Sequence, residues 1–140
     1  MTRAIAAALA LSTALVACGG SSQDPGPQTV EQAVAAFEAA YQAKDPDALV
    51  ALCQFPFILD GTELTGADQL RTYLRSTFTG AGEIARAEVL DPVVVREGDT
   101  VRVTGTFHLV DSVQGESSRP VTIRGELHGQ RWVGTGFSQE

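Results

Sequence analysis

The sequence predicts an α+β domain with three N-terminal helices packed on one face of a curved antiparallel sheet. Two observations carry this. Between residues 29 and 78, apolar residues recur at helical spacing in three separate stretches. Beyond Gly80 they alternate with polar residues in four long runs divided by turn residues. Helices gathered first and strands gathered after is the pattern of helices segregated to one side of an antiparallel sheet. A chain of 140 residues, 44% hydrophobic and 19% charged, has room for one such domain and enough apolar side chains to fill its core.

The start of the chain stands apart from that domain. Arg3 supplies a positive charge, and residues 4–17 (AIAAALALSTALVA) carry none. The run is shorter than the about 20 apolar residues that cross a bilayer, and it fits the hydrophobic segment of a secretory leader. It ends Leu15-Val16-Ala17-Cys18, which resembles the lipobox of bacterial lipoproteins, where the Cys thiol accepts diacylglycerol. The alternative is a plain signal peptide with Cys18 near the cut by chance, but such sites favour small residues on both sides. Residues 1–17 are therefore expected to be a lipoprotein signal peptide and Cys18 the lipid-bearing first mature residue, carrying fatty acyl chains such as palmitate. Residues 18–28, rich in Gly, Ser and Pro, form a flexible tether. The expected location is the cell membrane or outer membrane of the envelope, lipid-anchored and facing the periplasm or exterior. Gly19 follows Cys18, so the resemblance implies no inner-membrane retention signal in a two-membrane cell.

The domain spans residues 29–140. Thr29 stands three residues before Gln32, a capping-box spacing, and Val30, Ala33, Val34, Phe37, Ala40 and Tyr41 then mark one helical face. Asp45 and Pro46 suit the N-cap and first position of a second helix, with residues 48–53 as its body. Residues 55–59 read as a strand, with Pro56 marking an edge or a strand start, and Asp60-Gly61 as the turn that ends it. Thr65 is the expected cap of a third helix with Leu70, Tyr73, Leu74, Thr77 and Phe78 on one side. Strands follow at residues 83–96, 100–110, 118–128 and 131–138.

Alternation sorts the strand side chains by face. Val101, Val103, Gly105, Phe107 and Leu109 share one face of their strand, as do Val121, Ile123, Gly125 and Leu127 on the next. A slip of one residue would turn Arg102, Arg124 and Glu126 into the core, so the apolar set faces the helices. His108 and His128 then lie on the outer, solvated face. Two His without Cys or acidic neighbours at ligand spacing make no zinc site, and no metal or other cofactor is expected. Trp132, Phe137, Phe107, Phe57 and Phe55 have the spacing of core residues. Cys53 has no partner once Cys18 is acylated; it reads as a buried, inert thiol with no nearby base to lower its pKa. Gly80-Ala81-Gly82 precedes a strand, which excludes a phosphate loop. The formal net charge is −7, and cleavage of the leader removes Arg3 and makes the remainder more acidic. Nucleic acid is therefore not an expected partner.

The stretches AFEAAYQAKDPDALVALCQFPFILDG and TGADQLRTYL, followed by meander strands ending in GQRWVGTGF, resemble the nuclear-transport-factor-2-like (SnoaL-like) superfamily. The resemblance covers nearly all of residues 29–138. It implies a cone-shaped domain with a pocket between helices and sheet, expected to be lined by Phe37, Tyr41, Tyr73, Val103, Phe107, Ile123 and Leu127. The family holds isomerases, dehydratases and cyclases beside non-catalytic binding modules, so fold alone does not deliver function. For an isomerase of the ketosteroid type, the resemblance places the general base at Asp60. It also places the two oxyanion donors at Phe37 and at Ile123 or its neighbour. Neither Phe nor Ile donates a hydrogen bond, and loss of one donor costs about two to three powers of ten in rate. Tyr41, one helical turn on, is the weak substitute. The expected function is thus a non-catalytic module that holds a small hydrophobic ligand or an envelope protein. The alternative is a SnoaL-like isomerase or dehydratase using Asp60 as base. A homodimer through the outer sheet face is a further expectation.

Cys18→Ala is expected to abolish acylation and leave the protein soluble or held as precursor. Metabolic labelling with a fatty acid, followed by intact mass, checks this. A mature N-terminus elsewhere without acyl chains would end the lipoprotein reading.

Overall fold

The computed structural model describes residues 26–140. The expected leader, Cys18 and the expected tether as far as residue 25 lie outside the described residues. Helix α1 (Val30–Gln42) starts where Thr29 accepts a hydrogen bond from the Gln32 N–H at 3.0 Å. Asp45 starts α2 (Pro46–Ala51) in the same way, accepting from the Ala48 N–H at 3.1 Å. This helix stops before Cys53, contrary to the expectation from its apolar run. The Leu52 carbonyl accepts a hydrogen bond from the Gly134 N–H at 2.7 Å, which draws the chain into the sheet, and Cys53 opens β1 (Cys53–Leu59).

The Asp60-Gly61 turn has positive φ at both positions, 48° and 85°, and joins β1 to a short strand that the sequence reading missed, β2 (Thr62–Leu64). An Asp-Gly pair between apolar runs was the available signal, because two left-handed residues suit a two-residue hairpin. Helix α3 (Ala67–Thr79) has Gly66 at its N-cap, not Thr65. Thr65 lies one residue outside, where its N–H donates to Gln69 Oε1 at 2.6 Å and its hydroxyl to the same oxygen at 3.2 Å. The chain continues through β3 (Ile84–Glu97), β4 (Thr100–Asp111), β5 (Gly115–His128) and β6 (Arg131–Gln139).

The sheet order is β2-β1-β6-β5-β4-β3. It is mixed, which corrects the antiparallel expectation: β1 runs parallel to β6, and every other pair is antiparallel. Short hairpins force β3 to β6 to alternate in direction, whereas β1 reaches β6 across most of the domain and no turn dictates its sense. Pro56 sits inside β1, not at its start, where the pairing with β6 slips between Cys53 and Ile58. The pairing slips again between Leu90 and Val93 of β3, an irregularity of the kind that bends a strand. Opposite it lies Gly105, whose backbone the Leu90 carbonyl approaches so closely that a Cβ there would stand 2.8 Å from the oxygen.

The facing predicted from alternation is the one adopted. Val101, Val103, Phe107 and Val121 are buried, and Arg102 and Arg124 are exposed. Phe107, 2% exposed, has ring centroids of Tyr41 at 5.1 Å, Phe37 at 5.5 Å and Phe137 at 6.3 Å, and Tyr41 in turn meets Phe78 at 5.1 Å. These rings tie α1, α3 and the sheet together. A smaller cluster of Val30, Val101, Val103 and Trp132 fills the other end. Residues 26–28 belong to the domain and not to the tether, since the Pro27 carbonyl accepts from the Trp132 N–H at 2.8 Å. Asp111 is the buried charged side chain among the described residues. Its Oδ1 accepts from the backbone N–H groups of Val113 and Gly82, both at 2.8 Å, and of Gln114 at 3.2 Å. Those bonds hold its carboxyl below the usual carboxylate range and fasten the β4–β5 turn to the start of β3.

Phe107→Ala removes the ring shared by both layers, and its neighbours cannot all collapse into the gap. A loss of about 3–5 kcal/mol of stability is expected, measured by chemical denaturation. A loss below 1 kcal/mol would show that the aromatic cluster is not the centre of the core.

Candidate functional site

Between the two clusters the helices and sheet leave a cavity of about 140 Å³. Its walls come from α1 (Val30, Ala33, Val34, Phe37, Tyr41), α3 (Leu70, Tyr73, Leu74, Thr77) and the inner face of the sheet (Val101, Val103, Ile123, Phe137). Pro27 and Trp132 stand at one end, Asp60 and Gln139 at the other. Among the lining residues Asp60 is exposed and Tyr73 is 46% exposed.

Of the side chains expected to line the pocket, Phe37, Tyr41, Tyr73, Val103 and Ile123 do so. Phe107 and Leu127 do not. Phe107 is sealed behind the rings of Phe37, Tyr41 and Phe137. Leu127 pairs across the strands with Trp132 and packs on the smaller cluster. Trp132 and Gly134 are lining residues that the sequence reading left in the core or unremarked. Two glycines within one short strand, Gly134 and Gly136, were the usable signal: a side chain missing from a strand interior marks open space or a close approach.

The polar inventory is small. Asp60 stands at the rim, and its Oδ1 accepts from the Gln139 N–H at 2.8 Å while its own N–H donates to the Phe137 carbonyl at 2.9 Å. The residue that would serve as a base is thus bound up in holding the β1–β2 turn against β6. Tyr41 is half-buried, and no described residue hydrogen-bonds to its hydroxyl. Burial, then the neighbouring Tyr73 and Asp111, push its pKa up, so the hydroxyl stays protonated. Thr77 spends its hydroxyl on the Tyr73 carbonyl at 3.0 Å. Phe37 and Ile123, where an isomerase of the ketosteroid type would need donors, present only carbon to the cavity. His108 and His128 lie outside it, beside Glu116 at 2.8 Å and Glu126 at 3.1 Å. No group of His, Cys, Asp and Glu among the described residues is placed to hold a metal ion. Chemically, the site can enclose an apolar body and offer it a hydroxyl. Asp60 and Tyr41 both border it, the first engaged by the Gln139 N–H.

No protein-family model and no curated protein matches the sequence. Solved structures match the fold. A protein from Thiobacillus denitrificans, assigned as a calcium/calmodulin-dependent protein kinase type II association domain, superposes with a TM-score of 0.70 at 22% identity, over 83% of this chain and 97% of that one. A nuclear-transport-factor-2-like protein of unknown function from Pseudomonas putida gives 0.69 at 11% identity, over 79% and 82%. A hypothetical protein with a ketosteroid isomerase-like fold from Catenulispora acidiphila, in complex with trimethylamine, gives 0.58 at 18% identity, over 80% and 86%. At these identities the likeness is one of fold.

Cys53 also lines the cavity, its thiol donating to the Leu49 carbonyl at 3.3 Å. Burial pushes its pKa from 9.0 to about 12. The folded state therefore keeps a proton that the unfolded state releases above pH 9. Stability from this group is complete below pH 9 and is lost as the pH rises toward 12, by about 1.4 kcal/mol per unit. Against Cys53→Ala, the wild-type chain should lose stability more steeply in that window. Parallel denaturation curves for the two would refute the burial of the thiol.

Proposed function

We propose that this chain, which has the nuclear-transport-factor-2-like fold, is a membrane-tethered exported lipoprotein whose domain holds a small apolar ligand without catalysis. The single observation behind the binding role is the cavity of about 140 Å³, walled by aliphatic and aromatic side chains. An apolar cavity of about 150 Å³ stays dry and takes up a molecule the size of benzene, so the natural occupant has roughly one ring. A fold neighbour in complex with trimethylamine, a molecule of few atoms, is in keeping with that scale. Against the isomerase alternative stand the turn-bound Asp60 and the carbon side chains of Phe37 and Ile123. The anchor rests on Cys18 and its preceding motif. No helix among the described residues is long and apolar enough to cross a membrane, so a lipid at Cys18 would supply the attachment. An envelope protein or a second copy, if one docks, would meet the outer sheet face. Val93 is 59% exposed there and Ile58 41%.

Benzene titrated into the purified full chain tests the binding role. Trp132, the one tryptophan of the sequence, walls the cavity, so its indole N–H resonance reports entry. Saturable shifts with Kd on the order of 1 mM are expected. They should vanish in Ala33→Phe, which fills the space, and persist in Asp60→Asn. Binding unchanged in Ala33→Phe, or turnover of an isomerase substrate that Asp60→Asn removes, would overturn the reading.

A further inference from the structure

A second recess lies on the surface, where α1 and α2 come together beside the start of β6. Gln32, Ala36 and Ala40, spaced four residues apart, form one line along α1, and Ala48 and Ala51 supply the wall from α2. Four of these five side chains are single methyl groups, and a groove of about 540 Å³ stands between the helices, with Arg131 lining it from β6. The groove shares Pro27 and Leu52 with the inner cavity and no other wall. A ligand in one is therefore independent of a ligand in the other.

The polar side chains of this groove are donors. Arg131 Nη2 donates to the Ala51 carbonyl at 2.6 Å, at the end of α2 where carbonyls have no partner within the helix. That bond fixes the guanidinium and leaves the rest of its fork of five N–H groups unused. Its Nε is buried and has no partner, Nη1 is not buried and has none either, and no carboxylate among the described residues lies within ion-pair distance. Gln32 Oε1 accepts from the Gln28 N–H at 2.9 Å, which leaves the amide NH2 as its free end. No Asp or Glu among the described residues lines the groove. We propose that it binds a monocarboxylate with a slim apolar body, the carboxylate taken by Arg131 and the carbon ring or chain laid on the alanine methyl groups. A carboxylate brings acceptors and no donors, and its geometry matches a guanidinium held in place. The methyl groups on both helices give the apolar body its contact.

The test titrates benzoate, benzyl alcohol and inorganic phosphate into the purified full chain. The backbone amide resonances of Ala36 and Ala48 report on the groove, and the buried Arg131 Nε–H, shielded from exchange, reports on the guanidinium itself. Benzoate should bind with Kd on the order of 1 mM. Benzyl alcohol should bind about 10-fold more weakly, the worth of a hydrogen bond to a charged group, and phosphate, with no apolar body, should also bind more weakly. Arg131→Gln should reduce benzoate to the level of benzyl alcohol, with a melting curve to verify the fold. If that variant does not fold, Ala36→Glu, which keeps Arg131 and sets a carboxylate in the groove, should have the same effect. Benzene added to fill the inner cavity should not compete with benzoate. Benzyl alcohol binding as tightly as benzoate, or benzoate binding unchanged in the variant that folds, would overturn the role of Arg131. Phosphate binding as tight as that of benzoate would overturn the apolar body. Competition with benzene would place the benzoate in the inner cavity, and the absence of benzoate shifts in these resonances would remove the site altogether.

Discussion

The edge-on packing of Phe107 against Tyr41 is the contact on which the rest of this structure depends. Phe107 comes from the middle of β4, Tyr41 from the last turn of α1, and their rings meet at 5.1 Å. Each then carries the contact outward, Phe107 to Phe37 and Phe137, Tyr41 to Phe78 on α3. Two helices and two strands are thus located by one set of rings. Aromatic pairs of this geometry add about 0.5–1.5 kcal/mol each beyond the area they bury. Their directional preference fixes orientation as well as energy.

The cavity is a consequence of how far that cluster extends. Its rings fill the sheet side from Phe137 to Phe107, and a separate aliphatic group with Trp132 fills the end near Pro27. Between them β6 presents Gly134, where a Cβ would stand 3.7 Å from the Phe57 ring and 3.9 Å from Cys53 Sγ, and β5 presents Gly125. A side chain at Gly125 is excluded outright, since its Cβ would meet the Val133 carbonyl at 2.9 Å. Close backbone packing thus keeps Gly125 bare, whereas a Cβ at Gly134 would find only ordinary contacts.

The polar groups near the cavity are mostly committed to architecture. Asp60 locks a hairpin turn to β6, Asp111 gathers three backbone N–H groups, and Thr77 bonds within its own helix. The backbone N–H groups on Asp111 stabilise its charged form and lower its pKa. Tyr41 differs from these in that no structural task occupies its hydroxyl.

The three helices, the five longer strands in their order, and the inward face of β4 and β5 were legible in the sequence, with most boundaries within two residues; the start of β5 at Gly115 and the short strand β2 were not. Each depends on local periodicity, on caps such as Thr29 and Asp45, and on the cost of burying Arg102 or Arg124 after a slip in register. The leader and the acylation at Cys18 are proposals that rest on the sequence alone. Tertiary structure decided what local pattern does not encode. The parallel pairing of β1 with β6 joins strands far apart in the chain and is set by no turn. The early end of α2 follows from that pairing, because Gly134 claims the Leu52 carbonyl. The sorting of inward side chains into core and cavity wall is the clearest case. Phe107 and Val103 share one face of one strand, yet the first is enclosed by three rings and the second borders open space. Alternation fixes which way a side chain points; how much room it meets there depends on every other element that converges on the same place.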